Sequence, residues 1–198
     1  FVLRTDKDGD VVDETEYFSD PQVAGGPAPK CIMQLEDEGF AIGGYQTYTG
    51  AALLMRTDAA MDSLWTVQFP SGRFSVGAEL AMTPSRDLAL YGFHHAVYHP
   101  DSVCSRLSVV DMTGHVKWSR NYALYNGSVD VMDFHPIFHV TRDGGFLLTG
   151  DSISELAAEV GLIRTNADGD ILWSRTNSDW GAANCVVETE DQGNLILT

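Results

Sequence analysis

The sequence is poor in the features that mark membrane-spanning and nucleic-acid-binding proteins. No apolar run approaches the ~18 residues that a transmembrane helix needs, and Phe1–Arg4 lacks the basic and apolar regions of a secretory signal. Only 12 Lys and Arg residues stand against 28 Asp and Glu residues, which gives a formal net charge of −16. Because such a surface repels phosphate groups, we expect no nucleic-acid binding. Because no apolar run is long enough to span a bilayer, we expect no membrane insertion.

Cysteine is scarce and irregularly spaced. The chain has Cys31, Cys104 and Cys185, and it has no Cys-x-x-Cys pair. An odd, small number of distant cysteines excludes a disulfide framework and a zinc ribbon. We expect these residues to behave as small buried hydrophobic side chains. Their redox state and the compartment stay open.

The common catalytic motifs are missing as well. There is no Gly-x-Ser-x-Gly nucleophile motif, and Gly43-Gly44 precedes no helix that would bind a phosphate group. Asp6–Asp10 resembles the start of a calcium loop. An EF-hand, however, needs glycine and glutamate at its sixth and twelfth positions, where this chain has Val11 and Tyr17. A hairpin turn is therefore the favoured interpretation of Asp6–Asp10, with a calcium site as the alternative. Because the common motifs are missing, we predict no catalytic residue and no cofactor.

A histidine cluster, His94, His95 and His99, follows a predicted strand. Three imidazoles within six residues bind a metal only if the link folds back on itself, and nothing in the sequence orders it. We therefore predict no metal site. The residues that we expect to contact a ligand lie in the long links between strands; they are His94, His95, Tyr98, His99, Tyr125 and Trp180.

What the sequence does contain is an internal repeat. Three segments superimpose without gaps, and they are Leu54–Trp65, Leu107–Trp118 and Leu162–Trp173. A degenerate copy, Val2–Asp13, opens the chain, so the equivalent last residues recur every 52 to 55 positions. Each copy is an apolar strand, a turn built on Asp or Asn with Gly, and a second strand. In the second copy Ala59–Met61 replaces the glycine turn, which predicts a different turn there.

A second motif lies between these hairpins and also has four copies, Cys31–Gly44, Leu80–Gly92, Phe138–Gly150 and Cys185–Thr198. Each is again a strand, a polar turn and a strand. The second strand is almost wholly apolar, which predicts that both of its faces are covered. A single short helix is predicted at Ser154–Glu159, inside a link.

Two alternating hairpins of this kind predict an all-β fold. Four-stranded antiparallel units repeating about every 50 residues are typical of β-propeller blades. The hairpin pairs fall near 1–45, 52–93, 105–150 and 160–198. The chain begins and ends inside a blade, so we expect an arc of a larger propeller. A closed four-bladed ring and a β-solenoid are the alternatives.

The repeat resembles the PQQ-like β-propeller family, whose hallmark is Asp-x-x-Thr-Gly, or a variant of it, followed by a nearby Trp. Asp111–Trp118 carries this motif most fully, and Asn166–Trp173 is close to it. The resemblance implies that Trp65, Trp118 and Trp173 dock one blade on the next, and that Asp13 marks a weaker or terminal junction. The family includes quinone-dependent dehydrogenases, but their adjacent cysteine pair and calcium ligands are not recognisable here.

These observations favour a non-catalytic scaffold that binds a protein partner within a larger assembly. The repeat type suggests an extracytoplasmic location, whether secreted, periplasmic or at the cell surface. One alternative is a carbohydrate-binding module that uses Tyr45, Tyr48, Tyr98, Tyr125 and Trp180. The other is the propeller part of an enzyme whose site lies outside this segment.

Overall fold

The computed structural model is built from antiparallel β-strands. It describes residues 2–17, 27–46, 50–69, 78–95, 103–122, 124, 137–154, 157–177 and 183–197. These residues contain no helix, and hence none that is long and apolar enough to cross a membrane. The strands are β1 Val2–Thr5, β2 Val11–Thr15, β3 Pro27–Gln34, β4 Phe40–Gln46, β5 Ala52–Thr57, β6 Ser63–Phe69, β7 Ala78–Met82, β8 Leu88–His95, β9 Val103–Val110, β10 Val116–Tyr122, β11 Ile137–Val140, β12 Phe146–Ser154, β13 Ala157–Thr165, β14 Ile171–Asn177, β15 Cys185–Glu188 and β16 Asn194–Leu197.

The strands form three four-stranded sheets and two separate hairpins. Sheet I contains β3 to β6, sheet II contains β7 to β10, and sheet III contains β11 to β14, each in chain order. The first hairpin is β1–β2 and the last hairpin is β15–β16. The sheets are therefore offset by one hairpin from the ranges 1–45, 52–93, 105–150 and 160–198, because β4 pairs with β5, β8 with β9 and β12 with β13.

The first and last hairpins do not pair with each other. Among the described strands each remains a two-stranded sheet, so the joint sheet that a closed four-bladed ring requires is not formed. The helix predicted at Ser154–Glu159 is also wrong. Strands β12 and β13 run into this region, and the backbone of Ser154 and of residues 157–159 pairs across the two strands instead of forming a helical turn.

The turns of the three Trp-carrying hairpins and of the first hairpin, which has Asp13 at the Trp position, share one geometry. A side-chain oxygen of the first turn residue accepts two backbone N–H groups, from the residues two and four positions later, at 2.8–3.0 Å; these first residues are Asp6, Asp58, Asp111 and Asn166. The expectation of a different turn at Ala59–Met61 is wrong. Met61 takes the place of glycine with φ +64°, because Asp58 fixes the turn as its counterparts do.

The hydrophobic core lies between sheets. One cluster joins sheets I and II, a second joins sheets II and III, and a third joins sheet III to the last hairpin. The second strands of sheets II and III, β8 and β12, each contribute to two clusters. On β8, Leu88 and Leu90 face sheet I while Ala89 and Tyr91 face sheet III, and all four are buried. The predicted burial of this strand on both faces is confirmed.

Neighbouring sheets approach most closely at their first strands. Strand β3 contacts β7, β7 contacts β11, and β11 contacts β15. Every extensive contact between strands of neighbouring sheets includes one of these first strands. The sheets consequently diverge toward their last strands, β6, β10 and β14, which are the strands that carry the tryptophans.

Candidate functional site

Two tryptophans lie in the widening gaps between sheets. Trp65 of β6 donates its indole N–H to the Met112 carbonyl in sheet II at 3.1 Å. Its ring also lies against Gly114, where a Cβ would be 3.0 Å from the ring. Trp118 of β10 lies in the same way against Gly169 of sheet III and packs edge-on against Phe146 at 5.8 Å between ring centroids. Each tryptophan thus contacts the turn of the following sheet.

Trp173 lies in a different setting. The last hairpin follows sheet III, and its described part has no counterpart of the Gly114 and Gly169 turns that Trp65 and Trp118 contact. It packs against the cluster formed by Leu147, Leu162 and Val186. Val186 belongs to β15, so the cluster joins sheet III to the last hairpin. Asp13, at the tryptophan position of the first hairpin, lies on β2 and is half-buried.

Sequence reasoning missed a tyrosine four residues after the tryptophan position. The Tyr122 hydroxyl donates to the Gly169 carbonyl at 2.8 Å, and the Tyr17 hydroxyl donates to the Met61 carbonyl. Both acceptors are the positive-φ residue of the next sheet's turn. Burial raises the pKa of Tyr122 to about 12, so the hydroxyl remains a donor at neutral pH. The sequence feature that could have revealed these contacts is a tyrosine at the same repeat position in two copies.

Tyr122→Phe is expected to lower the free energy of unfolding by about 1–2 kcal/mol, because the buried Gly169 carbonyl loses its donor. Urea unfolding followed by tryptophan fluorescence measures this loss. Tyr45→Phe is the control, since it removes the same atom from a half-buried tyrosine on β4, and we expect a change below about 0.5 kcal/mol. An equal loss in the two variants would contradict the assigned contact.

Charged side chains reinforce the junction between sheets I and II. Arg56 pairs with Asp37 and donates to the Met112 carbonyl at 2.9 Å. Arg86 pairs with Glu36 across the junction at 2.7 Å. These residues, with Met82 and Met112, line a cavity of about 210 Å³. Arg56 Nε is buried there and has no hydrogen-bond partner among the residues that the structure describes.

Charged groups reinforce the junction between sheet III and the last hairpin as well. Arg164 is buried and holds both carboxylate oxygens of Asp143 at 2.8 Å. Glu188 of β15 approaches Arg164 to 3.9 Å and accepts the backbone N–H of Arg142 at 2.8 Å. The Arg164 guanidinium thus interacts both with the Asp143 turn of its own sheet and with Glu188 of the last hairpin.

Stability is expected to fall as the pH decreases from 4 to 2. The Arg164 hydrogen bond, with those from Thr141 and Gly145, lowers the pKa of Asp143 to about 2. A depressed carboxylate pKa adds stability above the pKa of the unfolded chain, and this stability is lost as the pH falls through the folded value. Because the Asp143 side chain is 61% exposed, we expect a loss on the order of 1 kcal/mol.

Acid unfolding of the wild type and of Asp143→Asn measures this contribution. The difference in unfolding free energy between the two proteins should narrow from pH 5 to pH 2. A constant difference over this interval would show that Asp143 does not contribute through its charge.

The predicted ligand-contacting residues lie largely outside the described part of the chain. Tyr98, His99, Tyr125 and Trp180 are outside it, as is Tyr48 of the carbohydrate alternative. His94 and His95 end β8 and pair with Cys104 and Val103. Tyr45 is half-buried, and the Lys30 ammonium lies 5.6 Å from its ring centre. Within the part of the chain that the structure describes, the predicted ligand-contacting residues are therefore not gathered into one site.

The expectation of buried cysteines is wrong for Cys185, which is exposed on β15 of the two-stranded last hairpin. Cys31 and Cys104 are half-buried, and all three are free thiols. Burial raises the pKa of Cys31 to about 11, so this thiol is protonated at neutral pH. At Asp6–Asp10 the Asp6 carboxylate binds backbone N–H groups. No group of three metal-ligating side chains occurs in the residues that the structure describes.

No family model and no curated protein sequence matches this chain.

Proposed function

We propose that the chain is a non-catalytic scaffold, that its sheets are successive blades of a β-propeller, and that it binds a protein partner. The observation that carries the proposal is the recurrence of one set of contacts at successive junctions. Tyr17 and Tyr122 bind equivalent carbonyls, and Trp65 and Trp118 lie on equivalent turns. Units that contact their neighbours in the same way are typical of repeat architectures.

The divergence of the sheets favours a propeller over a solenoid. Sheets that are stacked in parallel, as in a solenoid, keep a constant separation along all of their strands. Here the first strands are in contact, and large side chains occupy the gap between the last strands. In the proposed radial arrangement, β3, β7, β11 and β15 are the strands nearest a common axis.

The charged groups of the described residues favour a structural role over catalysis. Arg56, Arg120, Arg164 and Lys117 each bind a turn carboxylate in their own or the next sheet. The cavity of about 210 Å³ between sheets I and II is smaller than the ~300–1,000 Å³ of typical small-molecule sites. A surface with a net charge of −16 would instead complement a basic patch on a protein. In keeping with the family resemblance, we propose an extracytoplasmic or surface assembly.

Affinity purification of the tagged chain from its source cells tests the proposal. We expect one protein to co-purify in a fixed ratio and to rebind the chain when both are purified separately. An unrelated protein of similar size and net charge is the control, because any acidic surface retains basic proteins non-specifically. A chain that stays free of partners and turns over a substrate would overturn the proposal.

A further inference from the structure

The cavity of about 210 Å³ between sheets I and II has one buried side and one open side. Arg86 and Glu36 line it, pair with each other and are 72% and 67% exposed, so they stand where the cavity opens to solvent. The Arg56 side chain is only 17% exposed and forms the buried side. Since a water molecule occupies about 30 Å³ in the liquid, the cavity offers the space of about seven water molecules.

The buried side of the cavity presents a hydrogen-bond donor that needs an acceptor. Arg56 Nη1 donates to the Met112 carbonyl at 2.9 Å and Nη2 binds Asp37, but the buried Nε–H group has no partner among the described residues. The Met112 carbonyl also accepts the Trp65 indole N–H at 3.1 Å, so both of its lone pairs are used. Arginine does not lose its proton, and a buried unpaired donor costs free energy. The cavity therefore favours a ligand that brings an acceptor.

The charges around the cavity favour a neutral ligand. Arg56 pairs with Asp37, and Arg86 pairs with Glu36, so two carboxylates already balance the two guanidinium groups. A buried anion would add a charge without a partner, in a chain whose net charge is −16. The remaining lining residues are methionines, whose flexible side chains adapt to small apolar groups.

We propose that this cavity binds a small neutral molecule with one carbonyl-type oxygen and short apolar groups. The oxygen accepts the Arg56 Nε–H, and the apolar groups lie against Met82 and Met112. A tertiary amide or a ketone fits, because neither carries an N–H donor that would need a second partner. The volume is below the ~300–1,000 Å³ of sites for drug-sized compounds, so the ligand has only a few heavy atoms. This inference does not depend on the proposed scaffold function.

The Nε–H signal of Arg56 in a proton–nitrogen correlation NMR spectrum of the full chain tests the site directly. The signal is assigned by its loss in Arg56→Lys, and the probe is N,N-dimethylacetamide. We expect the probe to shift the Arg56 signal saturably in the millimolar range, as suits a ligand of few atoms. Isobutyrate, an anion of similar size, should bind at least about tenfold more weakly, because its charge would be buried without a partner.

Met82→Phe tests the cavity without removing the guanidinium group. The phenyl ring fills space that the ligand needs, so N,N-dimethylacetamide should bind about tenfold more weakly or not at all. Met33→Phe is the matched control, since Met33 packs against the same cluster between sheets I and II but does not line the cavity. It should leave the binding unchanged. The isobutyrate comparison uses the wild type alone, so the inference stays testable if Met82→Phe does not fold.

Three results would overturn the inference. The first is a shift that rises linearly with concentration and is shared by the other arginine signals. The second is equal binding of isobutyrate, or an unchanged affinity in Met82→Phe. The third is magnetisation transfer from water to the Arg56 Nε–H without any response to the amide, which would show that the cavity holds water only. If the signal shifts only when a co-purifying protein is added, the acceptor belongs to that protein, and the small-molecule site is equally ruled out.

Discussion

Gly169→Ala is expected to lower the free energy of unfolding by about 3 kcal/mol, one of the two largest effects that we predict. Gly169 has φ +79°, which costs a residue with a side chain about 1–2 kcal/mol. The added methyl group would also lie 2.9 Å from both the Trp118 ring and the Tyr122 hydroxyl. Relief of that overlap moves sheet II away from sheet III, at a further cost of about 1–3 kcal/mol. Urea unfolding measures the sum.

Gly144→Ala separates the two contributions. Gly144 has φ +83° in the same sheet, but its added Cβ would meet only Ala167 at an ordinary 3.6 Å. We therefore expect a loss of about 1 kcal/mol, from the backbone alone. In a Trp118→Ala background the difference between the two costs should shrink, because the ring overlap is gone and only the close contacts with Tyr122 and Arg120 remain. Equal costs in the wild-type background would mean that the tryptophan does not press on this turn.

Arg164→Met is expected to cost about 3 kcal/mol and to weaken the docking of the last hairpin. Methionine retains most of the apolar stem but leaves the Glu188 carboxylate, whose side chain is only 7% exposed, without its nearby cation. Removing one partner of a buried ion pair is costly because the other charge stays desolvated. Thermal unfolding measures the loss, and hydrogen exchange should show faster exchange in β15 and β16.

The double variant Arg164→Met with Glu188→Gln tests the cause of that loss. Glutamine still accepts the Arg142 N–H but carries no charge, so the double variant should recover part of the stability lost by Arg164→Met. If the double variant recovers no stability, the loss caused by Arg164→Met comes from the Asp143 contact or from packing. Glu188→Gln alone provides the reference for the cycle.

The repeat and its hairpins could be predicted because they depend on local residues. Apolar strands and turns that begin with Asp or Asn are specified within a dozen positions, and the observed strands follow them. The turn at Met61 shows the limit of the glycine rule. The Asp58 carboxylate, three positions earlier, binds Ala60 and Asp62 and holds the backbone so firmly that a methionine adopts a positive φ. The residue that fixes the turn is thus its first one.

The grouping of hairpins into sheets was harder to predict, because two hairpin types that alternate can be paired in two ways. The links give a partial signal. The chain between β4 and β5 occupies residues 47–51, whereas the chain between β2 and β3 occupies residues 16–26. The longer link is the one that passes from one sheet to the next. The tyrosine contacts escaped prediction because their acceptors are backbone carbonyls more than 40 residues away.

The location of the core between sheets has a consequence for how such a chain changes its length. The boundaries between sheets I and II and between sheets II and III are built from the same turn and the same tryptophan position, and sheet II presents one face to either neighbour. A duplicated sheet therefore adds the two core-forming faces that its new boundaries need. After the loss of a sheet, the two faces that become neighbours are of the same kinds as those at the other boundaries. Growth and shortening by whole repeats are built into this architecture, whereas an insertion of half a repeat reverses the order of the two hairpin types.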